Sequence, residues 1–148
     1  MMALLESPII KNFETPNCKV RTLNPIEKDV IKSVIGNDPE IPETIYNRIQ
    51  ESLNNGKNVN AILKLTTDDG NTYWTINRFE PSIANNFKSS FSVKTKFTTK
   101  ECIEKTQKLY HVLNMIETAV NNKYADKYLE GFLEEKCINF NEIAAFYS

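Results

Sequence analysis

The sequence predicts an α+β protein built around an antiparallel sheet. Asp69-Gly70 lies between two runs of strand-forming residues, 59–67 and 72–79, and a third run follows at 87–96. Asp-Gly between such runs is a strong hairpin signal, because both central residues of a tight turn can adopt positive φ. Helical patterns precede and follow these runs. The centre of the chain is therefore predicted to be a three-stranded antiparallel meander.

The N-terminal part is predicted to add two short strands, at 9–13 and 18–23, with a Pro-Asn turn signal between them. Together with the meander, they give an expected sheet of five antiparallel strands. Asn24 as N-cap and Pro25 at the first helical position predict the start of a helix over 26–35.

Short helices are expected on one side of this sheet. Gly36 is expected to end the first of them, and a second helix is predicted over 43–53. Between them lies 37–42, which has two prolines in six residues and is predicted to be an irregular loop.

A long C-terminal helix is predicted to begin at Thr99, which is a suitable N-cap. Its apolar positions fall on one stripe at helical spacing. The stripe consists of Cys102, Leu109, Leu113, Ile116 and Val120. Gly131 is expected to interrupt the pattern, and Asn141 is expected to cap a last short helix over 142–147. The predicted organisation is a sheet domain at 1–97 and a helical extension at 98–148.

The tail that follows Gly131 is too apolar for a flexible terminus. Its apolar residues are Phe132, Leu133, Ile138, Phe140, Ile143 and Phe146. We expect this tail to pack on the sheet of its own chain or on a partner.

Composition excludes several classes of protein. The net charge of −1 gives no basic footprint for nucleic acid, and no apolar run approaches the roughly 20 residues of a membrane span. The beginning of the chain lacks the pattern of a signal peptide. Three widely spaced cysteines fit neither a disulfide framework nor a zinc site. A cytoplasmic protein is therefore expected.

No catalytic motif is present. The chain has four glycines and one histidine, with no nucleophile elbow, no phosphate-binding glycine loop and no metal-ligand spacing. We therefore predict that the protein is not an enzyme and holds no metal.

Four segments, in order, resemble the aerotaxis-receptor branch of the PAS domains. They are NDPEIP at 37–42, NGK at 55–57, DGNTYW at 69–74 and SVKTK at 92–96. In that family the corresponding segments read roughly RHPDMP, GKPW, NGDxYW and SVRTK. The resemblance covers residues 36–99 and implies a PAS-like sheet. Such domains bind FAD, some relatives bind haem, and they report redox state to bacterial chemotaxis signalling.

The resemblance also implies where a ligand would bind, between the helices and the sheet. The pocket candidates are Asn37, Asp38, Ile41, Trp74 and Ile76. This chain has Asn37-Asp38 where the family has Arg-His, and it lacks the family's Trp after Gly-Lys-Pro. Because these changes remove contacts that a flavin needs, absence of a cofactor is the first expectation and FAD the second.

Several single residues allow two interpretations. Trp74 could stack on a ligand, but a core position is favoured. His111 could bind haem, but its place on the C-terminal helix favours a solvated or interface role. Asp38 and Glu40 could form an acid pair, but turn formation is favoured. Cys102 and Cys137 could sense redox state, but inert thiols are favoured.

The predicted function is a non-catalytic signal-transduction and interaction module, similar to PAS proteins that contact a membrane-bound chemotaxis transducer. The C-terminal stripe could pack on its own sheet or pair with a second copy, and the resemblance favours a homodimer. The interface candidates are Leu109, Leu113, Ile116 and Val120. A FAD-binding redox sensor and a cofactor-free small-ligand binder are the alternatives.

Overall fold

The computed structural model describes residues 20–23, 26–83 and 88–148. The sheet is formed by strands β1 (Val20–Leu23), β2 (Val59–Thr66), β3 (Thr72–Ile83) and β4 (Lys88–Phe97). The helices are α1 (Lys28–Ile35), α2 (Glu43–Asn54), α3 (Lys100–Ala119), α4 (Asn122–Lys136), a 3-10 turn (Phe140–Glu142) and α5 (Ile143–Tyr147). The strand expected at 9–13 and the caps Asn24 and Pro25 lie outside the described residues.

The α+β class is confirmed, but the five-stranded PAS-like sheet is wrong for the described residues. They form four antiparallel strands in the order β1-β4-β3-β2, of which β2, β3 and β4 are the predicted meander. β1 has only four residues and pairs with β4 from Phe91 to Lys88. In this register, the residues that would face the rest of β4, from Ser92 onwards, precede Val20 and lie outside the described residues.

The connection between β2 and β3 differs in detail from the expected tight turn. Ladder pairing ends at Thr66–Thr72, and the Thr67 amide donates to the carbonyl of Asn71 at 2.8 Å. Gly70 has a φ of 89°, whereas Asp69 stays at negative φ and accepts a hydrogen bond from the Asn71 amide at 3.2 Å. The hairpin is thus confirmed, with a longer loop that needs only one left-handed residue.

The register gives the sheet two different faces. Cross-strand partners lie on the same face, and the pairs Val59–Phe79 and Phe79–Val93 define the one that we call the inner face. Its buried residues along the meander are Val59, Ala61, Leu63, Leu65, Thr75, Asn77, Phe79, Phe91, Val93 and Thr95. Tyr73 and Pro81 on this face are half-buried, and Phe97 at its end is 40% exposed. Helices α1 and α2 contact β2, and α2 also contacts β3.

Three polar side chains on the inner face bond to one another. The hydroxyl of Thr95 donates to Oδ1 of Asn77 at 2.7 Å, and Nδ2 of Asn77 contacts Oγ1 of Thr75 at 3.0 Å. The Asn77 amide also lies 3.4 Å from the carbonyl oxygen of Ala61. Buried polar groups are tolerated when they find partners. We call these three residues the polar ladder.

The free edge of β2 is closed by the C-terminal helices. The Tyr110 hydroxyl, on α3, donates to the carbonyl of Ile62 at 2.7 Å. The Asn60 amide donates to Oδ1 of Asn141 at 2.9 Å, and Nδ2 of Asn141 donates to the carbonyl of Asn58 at 3.2 Å. Asn141 therefore protects a strand edge. The expectation that it caps the last helix is wrong. Asn139 is the N-cap of the 3-10 turn, and Glu142 is the N-cap of α5.

The predicted start of α3 is confirmed, since Oγ1 of Thr99 accepts a hydrogen bond from the Cys102 amide at 3.2 Å. The single long helix, however, divides after Ala119. Oδ1 of Asn121 accepts from the Tyr124 amide at 2.9 Å and so starts α4. A side chain that bonds to the backbone in this way competes with continuation of the helix.

The expected interruption at Gly131 is wrong, because Gly131 lies inside α4. Glycine within a helix costs only about 1 kcal/mol relative to alanine. The helix ends instead at Cys137, which adopts φ 57° and ψ 41°. The boundary predicted at 97/98 separates the sheet from these helices, yet one hydrophobic core, including Phe79, Leu113 and Ile143, spans both parts.

Helix α2 is capped by a carboxylate from a distant part of the chain. Its N-cap residue, Pro42, offers no side-chain cap. Glu117 of α3 supplies one: Oε2 accepts from the Thr44 amide at 2.7 Å, and Oε1 accepts from the Glu43 amide at 3.1 Å. A negative charge at this helix end also interacts favourably with the helix dipole.

Replacing Glu117 by Ala is expected to lower the free energy of unfolding by about 0.5–2 kcal/mol, the usual range for a lost N-cap. Urea denaturation followed by circular dichroism measures this change. Exposed Glu104, on the same helix, is the control, and its replacement by Ala is expected to have little effect. Equal effects of the two replacements would contradict a capping role for Glu117.

Candidate functional site: a groove on the C-terminal helices

The predicted pocket residues of the loop at 37–42 do not face a common cavity. Asn37 is exposed, whereas Ile41 is buried in the hydrophobic core. Asp38 is half-buried, and its Oδ1 accepts a hydrogen bond from the Glu40 amide at 2.8 Å. This bond from an Asp side chain to an amide two residues on is typical of a turn.

Lys64 connects this loop to the sheet. Its Nζ lies 2.6 Å from Oε1 of Glu40 and 3.8 Å from Oδ2 of Asp38. The hydrogen bond that Nζ donates to Glu40, together with both negative charges, raises the pKa of Lys64. The two carboxylates thus contact one ammonium group, which is the geometry of an ion-paired loop.

Trp74 packs in the core of this structure. It is 9% exposed, and its ring lies 6.1 Å from that of Tyr110. Burial raises the pKa of Tyr110 well above its usual range, so the hydroxyl remains protonated and donates to Ile62. Nζ of Lys64 lies 5.9 Å from the centre of the Trp74 ring. Tyr110 and Lys64 thus both pack against the Trp74 ring.

Ile76 lies two residues after Trp74 on the same, outer face of the sheet, where it is half-buried and packs against the core. There it lines an open groove of about 600 Å³ together with Arg78, Lys94 and Lys96. Nε of Arg78 lies 2.6 Å from Oε2 of Glu80, and this hydrogen bond lowers the pKa of Glu80. Exposed charged residues around one half-buried apolar residue are typical of the solvated face of an antiparallel sheet.

The four interface candidates of α3 divide into two kinds. Leu109 and Leu113 are buried in the core of their own chain, and Ile116 is half-buried against it. Val120, at the end of the stripe, is 58% exposed. In this structure most of the stripe therefore packs on its own chain. His111 points away from it and is exposed.

A second groove lies between α3, α4 and α5, with a volume of about 440 Å³. We call it the aromatic groove. Its apolar wall is formed by Leu109, Val112, Tyr128, Phe132, Phe146 and Tyr147, and the lysines that line it are Lys105, Lys108 and Lys136.

The aromatic rings of this groove support one another. The Tyr147 ring lies 6.3 Å from Phe132 and 5.6 Å from Phe146. Burial raises the pKa of Tyr147, so its hydroxyl is protonated at neutral pH. Nζ of Lys136 lies 5.9 Å from the centre of the Phe132 ring. The wall is thus held in place by contacts between rings, although Tyr128 is 45% and Phe146 is 43% exposed.

Two further exposed side chains lie beyond this lining, towards the turn between α3 and α4. Tyr124 precedes Tyr128 by four residues, and Met115 follows Val112 by three, so each lies further along the same side of its helix. Both are exposed. Six large hydrophobic side chains of the described residues are exposed, and five of them are Met115, Val120, Tyr124, Tyr128 and Phe146.

Only part of this groove is predictable from the sequence, namely the packing of the apolar tail. Packing of the apolar tail is confirmed for Leu133 and Ile143, which are buried. The spacing of four between Tyr124, Tyr128 and Phe132 was the signal that would have found the rest. It was missed because Gly131 was expected to end the helix.

No protein-family model matches this chain, and no curated protein sequence matches it either. None of the helices in the described ranges is long and apolar enough to cross a bilayer. Within those same ranges, His, Cys, Asp and Glu side chains do not gather in groups of three or more that could hold a metal ion. The geometry and chemistry of the aromatic groove are therefore the features of this protein that indicate a function.

Proposed function

We propose that this protein is a non-catalytic interaction module of the cytoplasm that binds a partner protein through the aromatic groove. The observation that carries this proposal is the position of the exposed hydrophobic side chains. Five of the six in the described residues belong to the segment from Met115 to Phe146, and two of these, Tyr128 and Phe146, line the groove beside Leu109, Val112 and Phe132. Exposed apolar residues scattered singly need no explanation, but a cluster beside a groove is typical of a docking surface.

The chemistry of the groove supports binding without catalysis. Its lining offers aromatic and aliphatic side chains with lysines, which can pack against a partner and attract negative charge. General acid–base or nucleophilic catalysis needs a base within hydrogen-bond reach of a reacting group. The lining of this groove includes no Asp, Glu, His or Cys side chain.

The sequence resemblance suggests which partner to test. Residues 36–99 resemble aerotaxis-receptor domains, so a membrane-bound chemotaxis transducer is the partner that we would examine first. This choice rests on the resemblance alone, whereas the proposal of a docking surface rests on the groove. A homodimer would be an alternative use of the same surface.

Site-specific photo-crosslinking in the cells that make the protein tests the proposal. Benzoyl-phenylalanine replaces Tyr128 in one variant and exposed Asp68, in the β2–β3 loop, in the control. We expect one discrete protein adduct from position 128, identified by mass spectrometry, and none from position 68. No adduct at 128, or the same adducts at both positions, would overturn the proposal.

The visible absorption spectrum of the purified protein is measured alongside. A flavin spectrum would instead make this protein a redox sensor. A colourless protein that crosslinks only from the groove is the result expected of an interaction module.

A further inference from the structure

We infer that the aromatic groove takes an amphipathic helix of about two turns whose flanks carry Asp or Glu. This inference rests on the proposed function and adds the shape and charge of the partner segment. Three properties of the groove carry it: its length, its apolar wall and the positions of its lysines.

The length of the groove fits a short helix. On α3 its lining runs from Lys105 to Val112, and seven residues of helix rise about 10.5 Å. The opposite wall runs along α4 from Tyr128 to Lys136. A segment of about eight residues in helical form has this length. Its apolar residues at i, i+4 and i+7 would meet the groove along one side.

The apolar wall offers rings with exposed area. Tyr128 and Phe146 keep nearly half of their surface accessible, and Phe132 is half-buried between them and the core. Rings of this kind, restrained by neighbouring rings, give a large contact area for little loss of conformational entropy. They suit aliphatic or aromatic anchors from the partner.

Lysines stand on both sides of the wall. Lys105 and Lys108 belong to α3 and Lys136 belongs to α4. Lys105 lies 3.4 Å from exposed Glu101, a surface pair of little energetic weight. Among the described residues, no carboxylate lies within 4.0 Å of Nζ of Lys108 or Lys136. Acidic side chains on both flanks of a bound helix would supply the missing counter-charges.

The same lysines argue against a second copy of this chain in the groove. A two-fold interface places the same patch on both partners, so both sides of the interface would carry these lysines and neither lining would supply a carboxylate. Such a contact brings like charges together at the edge of a dry interface, which is unfavourable. A partner of opposite charge removes this difficulty.

A displayed peptide library tests the inference with a defined probe. The library fixes Leu at i, i+4 and i+7 of a 14-residue helix and varies the flanking positions among Glu, Lys, Gln and Ser. Selection on the whole protein is expected to enrich Glu on both flanks. Fluorescence anisotropy then measures binding of the most enriched peptide.

Charge reversal provides the matched comparison. The double variant Lys108→Glu/Lys136→Glu is expected to weaken peptide binding by about tenfold. The control Lys57→Glu/Lys94→Glu changes the net charge equally at exposed positions outside the groove, and it should keep the affinity within about twofold. Added salt should weaken binding to the wild type, because screening acts on exposed ion pairs.

Several results would overturn the inference. Enrichment of Lys or of uncharged flanks, failure to select any peptide, or equal effects of the two double variants would each do so. Displacement of the peptide by a single-stranded oligonucleotide would assign the lysines to nucleic acid. A dimer in sedimentation that Tyr128→Asp dissociates would assign the groove to a second copy.

The photo-crosslinking result separates this inference from the proposed function. If Tyr128 still crosslinks to a partner protein but acidic helices do not bind, only the inference fails. If neither experiment gives binding, the groove is not a docking surface and both fail.

Discussion

Replacing Leu113 by Ala is expected to lower the free energy of unfolding by about 2–5 kcal/mol, the range for a truncated core leucine. Leu113 is 0% exposed and belongs to the hydrophobic core that joins the C-terminal helices to the sheet. The substitution removes apolar area from the core and leaves a cavity, and both effects destabilise the folded state. Urea denaturation followed by circular dichroism measures the change.

Val120 is the matched control, because the sequence pattern assigned it to the same stripe. It is 58% exposed, so Val120→Ala is expected to change stability by no more than about 0.5 kcal/mol. If Leu113 instead contacted a second copy of the chain, the denaturation midpoint of the wild type would rise with protein concentration. That concentration dependence, together with a small effect of Leu113→Ala on the monomer, would contradict the structure.

The second large effect is expected at the polar ladder of the inner face. Asn77→Ala should lower the free energy of unfolding by about 1–3 kcal/mol, the cost of a buried group that loses its partner. The hydroxyl of Thr95 loses its acceptor, whereas Oγ1 of Thr75 loses the Asn77 amide but still donates to the Leu63 carbonyl. Asn77 is 0% exposed, so water cannot replace these bonds without disturbing the core.

A double-mutant cycle separates the ladder from general core damage. When Thr95→Val is combined with Asn77→Ala, the hydroxyl that lost its acceptor is removed as well. The combined cost is therefore expected to be at least about 0.5 kcal/mol smaller than the sum of the single costs. Additive costs would show that Thr95 and Asn77 do not interact in the folded protein.

Elements with strong local signals were predicted well. Thr99 starts α3 because a hydroxyl at that position can accept from the Cys102 amide, an interaction between residues close in sequence. The β2–β3 hairpin forms because Gly70 tolerates a positive φ between two strand-forming runs. The ends of α1 at Gly36 and of α2 near Leu53 follow from similar local rules.

Elements that depend on competition between signals were predicted poorly. The apolar pattern predicts one helix across Asn121 with an interruption at Gly131, whereas the chain starts a new helix after Asn121 and continues it through Gly131. The Asn121 side chain accepts a hydrogen bond from the Tyr124 amide at the start of α4. Gly131 lies within α4, and the residues on both sides of it are helical. Helix propensity is only one contribution to where a helix starts and ends. Packing of α4 on α3 is another contribution, and the sequence pattern does not show it.

The predicted site residues show the same limit. The resemblance groups Asn37, Asp38, Ile41, Trp74 and Ile76 around one pocket. In the structure Asp38 forms a turn and Ile41 is buried in the core, while Trp74 and Ile76 share the outer face of the sheet. Which of two strand faces is covered depends on where distant helices pack. Tyr110 and Lys64 reach Trp74 from α3 and β2, and nothing near Trp74 in sequence indicates them.

The amino-acid sequence by itself determined the class of fold, the meander, the start of α3 and the apolar character of the C-terminal tail, because each follows from neighbouring residues and their periodicity. Only the tertiary structure decided which apolar residues remain exposed. Leu113 and Tyr128 are equally plausible interface residues by pattern, yet Leu113 is buried by its own chain and Tyr128 lines an open groove. Exposure is the outcome of contacts between residues far apart in sequence, and those contacts form only when the helices pack together.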